Sequence, residues 1–136
     1  GRGKLWSLAW EGFCRGNLKI KLIGAGPDCY AAYLQYMGLP PVITQEGRWG
    51  GAVFANAHNE WLNHLVNLGV LGTCCYLGIF MAGIKRYRGM LLGVLAIAMY
   101  GVHSLVSFQQ VLNTPLFFAV LGLCEATYRK QAEQFI

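Results

Sequence analysis

One short run in this 136-residue chain gathers residue types able to do acid–base work: His58-Asn59-Glu60-Trp61, with His64 one turn further on. Imidazole titrates near neutrality, so a histidine in contact with water can take up or release a proton. A histidine opening a helix is also commonly a cap or an ordinary surface residue. His58 and His64 are six residues apart, about 240° around a helix, and so cannot share a ligand. Glu60 and His64 stand at i,i+4 and can pair. A second group is basic. Residues 1–60 carry Arg2, Lys4, Arg15, Lys19, Lys21 and Arg48 against only Asp28 and three glutamates. That excess suits an anionic ligand, and it suits lipid headgroups equally well. Further along, His103, Ser104 and Ser107 follow an apolar stretch, where they either line a site or hydrogen-bond between helices.

Other chemistries lack their residues. Cys14, Cys29, Cys74, Cys75 and Cys124 form no C-x-x-C pair, and no histidine lies at zinc-ligand spacing from them. Cys74, Cys75 and Cys124 sit in apolar runs, where cysteine acts as a small hydrophobe. Cys14 and Cys29 could pair if their half of the chain faces an oxidising space. Gly24-x-Gly26 has neither the third glycine nor the βαβ setting of a nucleotide fingerprint. There is no P-loop, no nucleophile elbow and no H-E-x-x-H.

The elements that must carry these residues follow from the distribution of charge. Apolar residues make up 55% of the chain and charged residues only 12%, and the mean hydropathy is +0.40. A soluble domain carries about 25% charged residues. Residues 61–84 hold no formal charge and neither do residues 89–124, with only Lys85-Arg86-Tyr87-Arg88 between them. About 20 apolar residues in helix cross the hydrocarbon core. The fold class expected is therefore an all-α integral membrane protein: an extracytoplasmic loop region over 1–57, then three spanning helices at about 58–84, 89–108 and 114–129. Asn56 is the expected N-cap of the first span and Trp61 its interfacial aromatic. Gly69 and Gly72 on that span let a neighbouring backbone approach. Thr114-Pro115 opens the third.

In the first region, residues 5–14 predict a short amphipathic helix. Residues 19–23 alternate over too short a stretch to assign. Gly24-Ala25-Gly26-Pro27 predicts a turn, and Pro27 is expected to start a helix that runs to Met37, with Asp28 favouring its N-terminal dipole. Residues 42–56 read as loop. The tight basic turn at 85–88 and Arg129-Lys130 belong in the cytoplasm by the positive-inside rule, which puts residues 1–60 outside. The opening Gly1-Arg2-Gly3-Lys4 reads as the interior of a longer protein with further membrane helices upstream.

His58-Asn59, nine residues, then Gly69-Val70-Leu71-Gly72 resembles the signature of the O-antigen ligase and O-antigen polymerase superfamily. Gly1-Arg2-Gly3-Lys4-Leu5-Trp6 looks like that family's Gly-Arg-x-x-x-Trp segment, and Gly24-Ala25-Gly26-Pro27-Asp28 like its Gly-x-Gly-Pro turn. The three stand in the family's order and cover roughly residues 1–84; the remainder is similar only as hydrophobic helices. The resemblance implies a polytopic, GT-C-like helical bundle in the bacterial cytoplasmic membrane with its site facing outside. It implies a metal-independent glycosyltransferase with no cofactor, acting on glycans carried by undecaprenyl diphosphate and passing them to a glycan or lipid acceptor. Membrane lipids are expected partners and nucleic acid is not. By matching motifs, His58 would activate or orient the acceptor hydroxyl and Arg2 would contact the diphosphate, which a permanently charged, bidentate guanidinium suits. Asn59, Glu60, Lys4, Arg48 and His103 are the expected substrate-binding residues. A further arginine that the family carries in an earlier external loop lies outside this chain.

Two other classes fit the bare sequence. A lipid-linked glycan transporter or flippase would place ionisable residues near the bilayer midplane, whereas the centres of these helices are free of charge. A non-catalytic scaffold subunit would tolerate loss of His58.

Overall fold

The computed structural model describes residues 1–40, 54–107 and 113–133, which are helical and contain no strand. They form two compact units, residues 1–75 with 105–108, and residues 76–104 with 109–136.

In the first unit, α1 (Arg2–Arg15) is longer than the predicted 5–14 and buries Leu5, Leu8, Ala9 and Gly12. That i, i+3, i+4, i+7 spacing makes a single apolar stripe. It packs on α3 (Tyr30–Tyr36) through Tyr30, Tyr33 and Leu34. Gly12 permits the close approach, since a Cβ there would lie 2.5 Å from Leu34 Cδ2. Two tyrosines stitch the helices together: Tyr30 Oη donates to the Leu5 carbonyl at 3.0 Å and Tyr33 Oη to the Gly12 carbonyl at 2.9 Å. Burial pushes the Tyr30 phenol up to about 12, so it remains a donor throughout the physiological range.

Residues 18–23 resolve as a helix, α2 (Leu18–Ile23), started by Asn17, whose Oδ1 accepts from Ile20 N at 3.0 Å. The helix expected from Pro27 begins at Tyr30 instead. Asp28 has φ 56 and Gly26 φ 119, and neither is a helical conformation.

The long helix α4 (Glu60–Arg86) begins two residues later than expected and is not continuous: Gly69 has φ 67 and ψ −170. Among the described residues it is the one helix long and apolar enough to cross a membrane. Val70, Leu71, Leu77, Ile79, Met81 and Ile84 are all exposed along it.

In the second unit, α5 (Leu91–His103) and α6 (Asn113–Glu133) pack together. The helix predicted over 89–108 is shortened at both ends. Met90 N donates to the Tyr87 carbonyl at 2.7 Å, which holds residues 87–90 in a turn. Ser104 Oγ donates to the Tyr100 carbonyl at 2.8 Å, a competing bond that helps end the helix. Phe80, Tyr100 and Phe117 stack, with Tyr100 and Phe117 4.0 Å apart and 11° from parallel. Tyr100 Oη and Thr114 Oγ1 share a hydrogen bond of 2.9 Å. Gly83 admits Ile97, the most buried aliphatic side chain of this unit. The outward side chains Leu91, Leu92, Met99, Val102, Leu116 and Leu123 are more than 60% exposed, a surface that lipid would accept more readily than water.

Candidate functional site

The site is built at the N-terminal end of α4. Asn59, not Asn56, caps the helix: its Oδ1 accepts from Leu62 N at 3.0 Å, and its carbonyl accepts from Asn63 N at 2.9 Å. Asn56 instead turns the chain just before, its Oδ1 accepting from His58 N at 3.1 Å. Between them His58 sits at φ 49, in the left-handed region that histidine enters more readily than most residues. A left-handed residue cannot extend a right-handed helix, which is why α4 opens after His58 rather than at it.

The His58 ring is half-buried and meets Phe54 edge-on, with centroids 5.3 Å apart. Burial lowers its pKa below the ordinary 6.5, and the positive charge of Arg2 lowers it further. The imidazole is thus neutral at neutral pH, with a nitrogen able to accept a proton. Arg2, on the first turn of α1, is the charge behind that second effect. Arg2 and Lys4 are both exposed on that turn.

Glu60 and His64 face inward on the first turns of α4, at 2% and 9% exposure. Their Oε1 and Nε2 atoms lie 3.6 Å apart, so the i,i+4 spacing brings them within ion-pair distance, a pair that is charged on both sides only when His64 is protonated. Asn67 continues the same buried face. Glu60 also stands at the first helical position, where the helix dipole favours a carboxylate.

A second feature was not legible in the sequence as such. The break at Gly69 leaves the carbonyls of Val66 and Asn67 without their usual helical partners, and the turn after α2 supplies new ones. Ala25 N donates to Val66 O and Gly26 N to Asn67 O, each at 2.9 Å. The approach is backbone to backbone. A Cβ on Gly24 would lie 2.2 Å from Asn67 O, and one on Gly69 would lie 2.5 Å from Leu22 C and O. Thr73 Oγ1 covers the Gly69 carbonyl at 2.7 Å. Gly69 thus admits a neighbouring backbone as expected, although the neighbour is the end of α2 with the turn after it and not a spanning helix. Gly72 does not play this part; a Cβ there would meet Leu68 of its own helix.

Three sequence segments therefore belong to one unit: α1 with Arg2 at its start, the turn at 24–28, and the run from His58 to Gly69, the last two joined backbone to backbone at residues 24–26 and 66–69. The other expected site residues are elsewhere. Arg48 lies outside the described residues. His103 ends α5 in the second unit with an exposed side chain, while its neighbour Ser104 is fully buried. Cys14 and Cys29 are both free thiols. Residues missed in the sequence are Phe54 and the anchors Tyr30 and Tyr33. Phe54 had no periodic signal, and α3 was expected only as a helix, without its buried hydroxyls.

Among the described residues no group of three histidine, cysteine, aspartate or glutamate side chains could hold a metal ion. No protein-family model, curated protein or solved structure matches this chain.

Proposed function

We propose that this chain is part of a multi-pass membrane glycosyltransferase of the O-antigen ligase and polymerase kind, with His58 and Arg2 at its reacting centre. The observation that carries the reading is that α1, the 24–28 turn and the run from His58 to Gly69 fold into one unit on the one helix able to cross a membrane among the described residues, with the Arg2 charge felt at His58. Two of these segments join through paired glycines, and the third reaches His58 through its charge.

In this reading α5 and α6 also cross the bilayer. The 21 residues of α6 give a helix of about 31 Å, whereas the 13 of α5 give about 20 Å and require its flanking turns to complete the crossing. The basic turn at 85–88 lies in the cytoplasm and His58 outside.

The acceptor hydroxyl attacks the anomeric carbon of the lipid-linked glycan. A new glycosidic C–O bond forms, the bond from that carbon to the diphosphate oxygen breaks, and the lipid diphosphate departs with the electron pair. The neutral His58 imidazole receives the hydroxyl proton. Arg2, with Lys4 on the same turn, offsets the charge on the departing diphosphate. Asn59 holds His58 in place through the helix cap, and Glu60, paired with His64, fixes the first turn of α4.

The test is the gel profile of surface and lipid-linked glycans in cells whose full-length gene encodes His58→Ala. Loss of the long-chain ladder with build-up of single lipid-linked repeats identifies a polymerase using His58. Unattached long lipid-linked chains identify a ligase. An unchanged profile at normal expression refutes a catalytic His58 and leaves the scaffold reading.

A further inference from the structure

The second unit contains a basic cavity that the proposed chemistry does not use. It is open, encloses about 610 Å³, and is lined by Ala82, Lys85, Arg86, Arg88, Gly89 and Tyr128. That volume falls within the range of ordinary small-molecule sites.

Its charges are divided between two tasks. Arg86 is held in place: its Nε and Nη2 donate to the two carboxylate oxygens of Glu125 at 2.6 Å each, and its guanidinium lies 4.4 Å above the Tyr128 ring. Glu125 also receives Arg129 Nε at 2.7 Å and the Tyr87 hydroxyl at 3.2 Å. One carboxylate therefore answers two guanidiniums and remains outmatched. Lys85 and Arg88 are exposed and form no ion pair among the described residues. At Gly89, even an added Cβ would meet nothing within 4 Å among the described residues, so the mouth of the cavity is open. The floor is rigid and cationic, and two further cations stand free around it.

The surroundings specify the anion further. Met81, Ile84, Leu91 and Leu92 flank the basic turn and are 64%, 41%, 73% and 80% exposed. A fixed cluster of cations bordered at once by exposed aliphatic side chains matches a molecule with a phosphate head and hydrocarbon tails. A free phosphate would have no use for the aliphatic border. We propose that this cavity binds the headgroup of an anionic phospholipid, its phosphate between Lys85 and Arg88 and its acyl chains along Ile84, Leu91 and Leu92.

The test uses the full-length protein in mild detergent, offered equal amounts of phosphatidylglycerol and phosphatidylcholine, with bound lipid counted by native mass spectrometry. The expected result is a preference for phosphatidylglycerol that falls about fivefold in K85Q and again in R88Q, the factor for removing one cation at a lipid surface. Both side chains are exposed, so neither change disturbs the core. K130Q removes an exposed cation from α6 outside the cavity and should leave the preference intact. Millimolar glycerol 3-phosphate should fail to displace the lipid. A preference unchanged in K85Q and R88Q, or one that K130Q weakens equally, overturns the site. Displacement by glycerol 3-phosphate makes the ligand a soluble anion and overturns the lipid assignment.

Discussion

Replacing Gly69 with alanine tests whether α4 is broken where the structure breaks it. At φ 67 and ψ −170 the residue occupies a region essentially restricted to glycine, and a side chain there costs about 1–3 kcal/mol in backbone strain. The new Cβ would also lie 2.5 Å from Leu22 C and O and 2.6 Å from Gly24 N, so backbone must move. The movement separates Ala25 N from Val66 O and Gly26 N from Asn67 O, bonds that contribute about 0.5–1.5 kcal/mol each. The combined loss of about 2–6 kcal/mol is a large share of the roughly 5–15 kcal/mol that holds a typical domain together. Gly78→Ala is the control on the same helix. A Cβ there meets nothing within 4 Å among the described residues, and alanine is the better helix former by about 0.5–1 kcal/mol. The assay is the thermal midpoint of the detergent-solubilised protein, read by loss of the monodisperse peak. Gly69→Ala should lower it by about 10 °C or more, or prevent recovery of folded protein, while Gly78→Ala holds or raises it. Hydrogen exchange supplies a second readout, since the Ala25 and Gly26 amides should be protected in the wild type. A Gly69→Ala protein as stable as the wild type, with those amides exchanging freely, would refute the docked break and return α4 to a continuous helix.

The proposed role of His58 carries a pH dependence. Its pKa is lowered by burial and by Arg2, so the imidazole stays neutral as the pH falls through 6.5 and protonates only below that. Transfer rates in membrane vesicles should hold down to the depressed value and fall beneath it, and Arg2→Gln should move that acidic limb upward, whatever it does to the plateau. The linked stability has the same sign: it is complete above 6.5, where His58 is neutral folded or unfolded, and declines as the pH drops through the folded value. Asn59→Ala removes the α4 cap and should destabilise the first unit by about 1 kcal/mol in a denaturant titration, with Asn59→Ser largely restoring it. If Asn59→Ala proved neutral and Asn56→Ala took the loss, the helix would begin where the sequence first suggested.

Much of the architecture is written in local pattern. The charge-free stretches on either side of residues 85–88 announce apolar helices, because charge is excluded from hydrocarbon wherever it lies in the fold. The Glu60–His64 pair follows from helical spacing alone. His58-Asn59 marks the head of α4 because polar residues gather where backbone N–H groups lack partners. What the chain could not disclose is where a helix gives way. Gly69 reads in sequence like any packing glycine, and its left-handed backbone is required only because Leu22 to Gly26, more than forty residues earlier, presses on it and supplies the hydrogen bonds that the break forfeits. The late start of α3 has the same origin: Pro27 and Asp28 favour a helix locally, but the turn must present Ala25 and Gly26 to α4. Nor does local pattern disclose how α1 is fastened, since that depends on two buried tyrosine hydroxyls of α3 reaching the Leu5 and Gly12 carbonyls. Local sequence determined which segments are helical and apolar; the tertiary structure decided which of them bend, and which backbone segment docks at the bend.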